Sequence, residues 1–134
     1  RYGMQIHAGL KVILGGKGRL EKRLATAYAA AIKLYTAPPL APGCMIIGTA
    51  TTEAPSHPKI AAAAQDLLDE IEKLLIEAFT AAIAAGEMKS DPDPVTRARL
   101  AGALFDTLAV RARLRHPPKK LESIAMSMLP AICR

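Results

Sequence analysis

The feature that most constrains the fold is a run of apolar residues, three and four positions apart, that continues from residue 58 to residue 86. This spacing places the apolar side chains on one face of an α-helix, with most of the charged residues on the other side. Pro58 is a favoured first residue of a helix, and Gly86 is a natural stop. The sequence therefore predicts an amphipathic helix about 40 Å long, at about 1.5 Å per residue.

The same periodicity predicts four further helices, at residues 1–14, 19–35, 94–115 and 118–133. Pro130 is expected to kink or end the last of them, because proline lacks the backbone N–H. The short apolar stretch 44–50 fits a buried helix better than a strand, since its neighbours are helical, and 51–57 is predicted to be a turn. Aromatic residues make up only 4% of the chain, so the core must consist of Ala, Leu, Ile and Met, which favour helix over strand. We expect one all-α domain, a bundle of about six helices.

Few residues could act in catalysis or bind a metal, and their spacing suits neither role. Cys44 and Cys133 are far apart with no CxxC pair, which favours two buried thiols over one long-range disulfide. Glu53 and His57 could share a metal only on a helix, and Pro55 interrupts it. Neither an acid–base pair nor an activated nucleophile is evident. We therefore expect no catalytic residue, no metal and no cofactor, and the chain is not predicted to be an enzyme.

Charge is unevenly distributed along the chain. The net charge is +6, but residues 37–96 carry nine acids against three bases, which argues against one continuous nucleic-acid-binding stripe. A basic patch surrounds the turn between the last two helices, at Arg111, Arg113, Arg115, His116, Lys119 and Lys120. A cluster that complements the negative end of a helix dipole is the favoured interpretation, with a phosphate-contact surface as the alternative.

The longest run without charge, residues 34–52, contains prolines and glycines that would break a membrane-spanning helix. We therefore expect no contact with a membrane and a cytoplasmic location.

Two hydrophobic features have more than one interpretation. The last two predicted helices are apolar over a broad face, and one core need not cover all of it, so dimerisation is plausible. Aromatic and polarizable residues on several core-facing stretches could simply pack in the core, or they could line an apolar ligand pocket between helices.

The order of the elements resembles the C-terminal regulatory domain of TetR-family transcriptional regulators. Three stretches carry the resemblance over essentially the whole chain. They are the Gly-Cys-apolar segment 42–50, the long helix ending at 84–88 and followed by 91–94, and the helix 100–115 with its short turn and final amphipathic helix.

The resemblance implies a domain of residues 1–134 that senses a ligand and dimerises, in which residues 1–14 are the end of a linker helix. A helix-turn-helix head that binds operator DNA is expected upstream and is absent from this chain. The last two helices of each subunit would form a four-helix interface in a homodimer, at Leu100, Ala101, Leu104, Leu108, Leu121, Ile124 and Met128.

The resemblance also implies an effector pocket among the middle helices. By helix face, its expected lining is Leu24, Tyr28, Ile32, Tyr35, Met45, Thr49, Ile71, Leu75, Phe79 and Phe105. Few charges are expected there, which favours a small apolar or aromatic effector. The function implied is that of a ligand-responsive regulator, with repression favoured. The alternative is a stand-alone helical protein that binds a small molecule or acts as a scaffold, without DNA-binding activity.

Overall fold

The computed structural model describes residues 2–37 and 50–134, with side chains from residue 6 onward. Within these ranges the chain forms six α-helices and no strand, with a 3₁₀ turn at Ala54–Ser56 between the third and fourth. The helices are α1 (Tyr2–Leu14), α2 (Leu20–Thr36), α3 (Thr51–Glu53), α4 (Pro58–Ala84), α5 (Pro94–Arg113) and α6 (Pro118–Cys133). The predicted all-α bundle of about six helices is confirmed.

Local sequence signals explain where the helices begin and end. The side chain of Asp93 accepts a hydrogen bond from the backbone N–H of Thr96 at 2.7 Å, which caps α5 just before Pro94. This bond lowers the pKa of the Asp93 carboxyl, because it favours the charged form. After α4 the chain turns at Gly86, where φ is +78°, a conformation that favours glycine.

Polar contacts join three helices at one end of the bundle. Glu87, in the loop after α4, accepts a hydrogen bond at 2.7 Å from the backbone N–H of Leu20, the first residue of α2. The end of α1 lies nearby, since the Arg23 guanidinium donates to the carbonyls of Leu14 and Gly18. The start of α2 and the ends of α1 and α4 therefore share one end of the bundle, and the N-terminus of α1 points toward the other end.

One hydrophobic core joins all the long helices. At its centre, the Tyr28 hydroxyl of α2 donates to the Ala101 carbonyl of α5 at 2.7 Å. The Tyr28 ring also packs against that of Phe105, with centroids 4.3 Å apart. Burial raises the pKa of Tyr28 far above its usual value, so this phenol stays neutral and acts as a hydrogen-bond donor.

Arg97 is fully buried and joins the start of α5 to the end of α6. Its Nη1 donates to the Ile132 carbonyl at 2.6 Å, and its Nη2 donates to the Arg134 carbonyl at 2.7 Å. Its other bonds go to carbonyls of Lys89, Asp91 and Pro92, in the loop before α5. The positive charge is matched by backbone dipoles, including those at the C-terminal end of α6.

Three local predictions need correction or lie outside the described residues. Helix α6 continues past Pro130 to Cys133, the end predicted for it, so the proline does not end the helix. The proline lies on an exposed face where the carbonyl that loses its partner can be hydrated. The segment 51–57, predicted as a turn, contains α3 and the 3₁₀ turn. The structure does not describe residues 38–49. The helix predicted at residues 44–50 therefore lies outside the described residues, apart from Ala50.

Candidate functional site

A cavity of about 490 Å³ lies between α1, α2, α4 and α5. This volume is in the range of pockets that hold small molecules. Most of its lining is apolar and contributed by small or aliphatic side chains. The members from α1, α2 and α5 include Ile6, Gly9, Ile13, Ala31, Tyr35, Gly102 and Phe105.

Helix α1 supplies one side of the cavity through Ile6, Gly9, Leu10 and Ile13. Glycines on two helices leave part of the space open. A Cβ atom built at Gly9 of α1 or at Gly102 of α5 would meet no neighbouring atom within 4 Å. The cavity therefore exists partly because these two helical positions lack side chains.

Charged and polar side chains also line the cavity, contrary to the expectation that few charges face it. On α4, Asp69 accepts a hydrogen bond from Gln65 at 2.9 Å, and Glu72 lies 3.4 Å from Arg99 of α5. The remaining charged residue of the described lining is Asp106 of α5. Desolvation raises the pKa of the Asp106 carboxyl above its usual range.

The structure divides the predicted pocket residues into three groups. Tyr35, Ile71, Leu75 and Phe105 line the cavity. Leu24, Tyr28, Ile32 and Phe79 are instead buried in the core, and Met45 and Thr49 lie outside the described residues. Helical periodicity identifies an apolar face, but it does not separate residues that fill the core from those that border a cavity. Glycines within the helices at Gly9 and Gly102 are the sequence signal that could have located the empty space.

A second surface is an exposed apolar stripe on α5 and α6, two helices that pack against each other. Leu100 of α5 is 44% exposed, Leu114, which directly follows α5, is 68% exposed, and Met128 of α6 is 39% exposed. Helical spacing places Ala103, Thr107 and Val110 between the first two of these, and Ile124 and Ala131 beside Met128. We call this set of eight residues the α5–α6 face.

The predicted dimer residues also separate into two groups. Leu100, Ile124 and Met128 belong to the α5–α6 face. Ala101, Leu104, Leu108 and Leu121 are fully buried within the single chain, so their surface is not available to a partner in this conformation. They lie on the opposite side of the same two helices, a distinction that an apolar pattern alone does not make.

The basic patch surrounds the turn between α5 and α6. Arg111 and Arg113 are in the last turn of α5, where positive charge complements the helix dipole. Lys119 and Lys120 are in the first turn of α6, where positive charge opposes it. The helix-dipole interpretation therefore accounts for only half of these four charges.

The described residues contain no group of three or more His, Cys, Asp or Glu side chains that could hold a metal ion. Cys133 is buried and unpaired, and burial raises the pKa of its thiol to about 12, which disfavours the reactive thiolate. No helix in the ranges 2–37 and 50–134 is long and apolar enough to cross a membrane.

Residues 21–128 match a family model described as "Tetracyclin repressor-like, C-terminal domain". The chain belongs to this family. It is thus the C-terminal domain of a ligand-responsive transcriptional regulator of the TetR type, a class of transcription factors and not of enzymes. The resemblance stated from the sequence is confirmed.

Two solved structures of the TetR family transcriptional regulator CifR are similar to this chain. Both are cysteine mutants in complex with 26-bp operator DNA, and their TM-scores are 0.86 and 0.87. Each is 22% identical in sequence, and the match covers 97% of this chain and 68% of the CifR chain. At this identity the likeness shows the shared fold. A comparison with curated proteins finds no match.

Proposed function

We propose that this chain is the effector-sensing and dimerisation domain of a cytoplasmic repressor whose helix-turn-helix head precedes Arg1. Helix α1 would be the end of the linker from that head. The observation that carries the proposal is the position of α1 along one side of the cavity. A molecule in the cavity therefore contacts the helix that would lead to the DNA-binding head.

The contacts of α1 suggest how it would move. Its C-terminal end is held by the buried Leu10 and Leu14 and by the Arg23 guanidinium, which donates to the Leu14 carbonyl. Toward the N-terminus of α1, His7 contacts Glu70 of α4. The His7 Nε2 and Glu70 Oε2 atoms are 3.7 Å apart, and both side chains are partly exposed. A ligand that pushes on Ile6 and Gly9 would therefore displace the N-terminal half more easily than the C-terminal end.

Such a movement would couple the cavity to operator DNA. In a dimer, displacement of both α1 helices would change the separation of the two heads, and two half-sites on DNA tolerate little change in spacing. Effector binding would then lower operator affinity, and operator binding would lower effector affinity by the same factor.

The α5–α6 face is the surface that we propose for the homodimer. Regulators of the TetR type bind operator DNA and function as dimers. Large apolar side chains such as Leu100, Leu114 and Met128 are exposed in the single chain, and burying them against a second copy is favourable. A two-fold axis would bring the same face of both copies together, which gives a four-helix contact.

The effector that we propose is small and has a mainly apolar body. The support is a cavity of about 490 Å³ whose lining is dominated by Ala, Leu, Ile and aromatic side chains.

The test uses the full-length protein, with the residues that precede Arg1, bound to its operator. Small apolar compounds that raise the melting temperature of the protein are selected, and the operator Kd is measured with and without each by fluorescence anisotropy at fixed salt. We expect such a compound to weaken operator binding by about fivefold or more.

A pair of variants connects this effect to the cavity. Gly102→Leu should fill the cavity and remove the response to the compound, whereas Gly102→Ala should keep it. A compound that binds in the cavity and leaves the operator Kd unchanged would show that the proposed coupling is wrong. Absence of a DNA-binding head upstream would instead identify a stand-alone binding protein.

A further inference from the structure

The charges in the described lining of the cavity do not balance. Three carboxylates, those of Asp69, Glu72 and Asp106, face one guanidinium, that of Arg99. Glu72 already pairs with Arg99, at 3.4 Å. Two carboxylates therefore remain without a cation in an otherwise apolar site.

These two carboxylates differ in their surroundings. Asp69 is partly satisfied by the Gln65 amide, which donates to it at 2.9 Å. Asp106 has neither a hydrogen bond nor an ion pair to any residue in the described ranges. Desolvation raises the pKa of the Asp106 carboxyl, because burial disfavours its charged form.

Of the residues that the structure does not describe, the segment 38–49 contributes no cation that could balance these two carboxylates. Residues 38–49 carry no charged side chain at all, and the one further residue outside the described ranges is Arg1. The missing positive charge is therefore not supplied by the segment between α2 and α3.

We propose that the effector is an amphipathic cation, whose apolar body fills the cavity and whose positively charged group is bound by Asp106. This inference rests on the proposed function, because it specifies the chemistry of the ligand at the same site. Asp106 is an exposed residue whose carboxyl is partly desolvated, so the gain from a cation is moderate and comes from the lower local dielectric beside the apolar lining. Asp69 lies on the facing helix α4 and adds negative potential at the same cavity.

The experiment compares three probes that share one apolar body and differ in charge: 4-phenylbutylamine, 4-phenylbutanol and 4-phenylbutyrate. Binding of each to the 134-residue chain is measured by isothermal titration calorimetry at neutral pH, where the amine is protonated. We expect the amine to bind about tenfold more tightly than the alcohol, as for a hydrogen bond to a charged group, and the carboxylate to bind most weakly.

Two matched variants test the role of Asp106. Asp106→Asn should remove the preference for the amine over the alcohol, with both probes measured on the same variant. The variant should fold, because it removes a charge that desolvation disfavours. Asp66→Asn removes the same kind of charge from an exposed position of α4 outside the lining, and it should keep the preference. Sedimentation analysis is the control that checks whether both variants keep the wild-type oligomeric state.

The outcomes separate this inference from the proposed function. If the amine and the alcohol bind equally well, or if the preference survives Asp106→Asn, the cationic effector is wrong while the cavity stays a binding site. If none of the probes binds at millimolar concentration, the cavity is not the effector site, and both proposals fail. Loss of the preference for the amine in Asp106→Asn, together with its retention in Asp66→Asn, supports the inference.

Discussion

At the scale of single residues, Arg97 makes the most consequential contacts. Its guanidinium is fully buried and satisfies five backbone carbonyls from the loop 89–92 and the end of α6. Arg97→Met would leave these carbonyls without a donor, and we expect it to lower the free energy of unfolding by about 3 kcal/mol or more. Urea denaturation measures the loss.

Arg97→Lys is the control for charge. It keeps the positive charge but replaces the planar fork by one ammonium, which cannot reach both sets of carbonyls, so it should also destabilise the fold. If Arg97→Lys were as stable as the wild type, the positive charge would be sufficient and the planar guanidinium group would not be required.

The N-terminal cap of α5 predicts a dependence on pH. The lowered pKa of Asp93 means that its charged form stabilises the folded state. This contribution is present above the unfolded-state pKa of about 3.9 and is lost as the pH falls through the lower folded-state value. Asp93→Ala should therefore lower the melting temperature at pH 7 and have little effect near pH 2. Equal effects at both pH values would contradict the capping role.

At the scale of helices, the sequence predicts position better than orientation. Helix α4 begins at the predicted Pro58, and α6 ends at the predicted Cys133, because prolines, caps and glycines act locally. The direction of each side chain depends on partners distant in sequence. Tyr35 and Tyr28 lie on the same predicted face of α2, yet the first borders the cavity and the second fills the core. The position of α1 beside the cavity and the charged residues in the cavity lining were not predicted either, because both depend on partners distant in sequence.

Gly102 links the stability of α5 to the size of the cavity. Gly102→Ala should raise the free energy of unfolding by about 0.5–1 kcal/mol, because glycine is a poor residue inside a helix. Gly102→Leu should be at least as stable, since its side chain enters open space, but it should abolish probe binding. Thermal denaturation and calorimetry measure the two effects. Destabilisation by leucine would mean that the space is already filled.

At the scale of the whole molecule, the exposed apolar residues of α5 and α6 predict the oligomeric state. Leu100→Glu should convert the proposed dimer into a monomer, because it places a charge in the middle of the α5–α6 face. Val12→Glu is the matched control, since Val12 is 75% exposed on α1, away from this face. Analytical ultracentrifugation distinguishes the two. Monomerisation by both variants, or by neither, would contradict the proposed interface.

The account as a whole depends on movement of α1 when the cavity is occupied. The most direct measurement is the distance between spin labels on Ala8→Cys, an exposed position in the N-terminal half of α1, in the two copies of the dimer. It is made in a Cys44→Ser background, because Cys133 is buried and does not take up the label. The distance is recorded by pulsed electron paramagnetic resonance without ligand and with the tightest-binding phenylbutyl probe at saturation. The account predicts a shift of about 2 Å or more, which Gly102→Leu should prevent. An unchanged distance at full occupancy would contradict it.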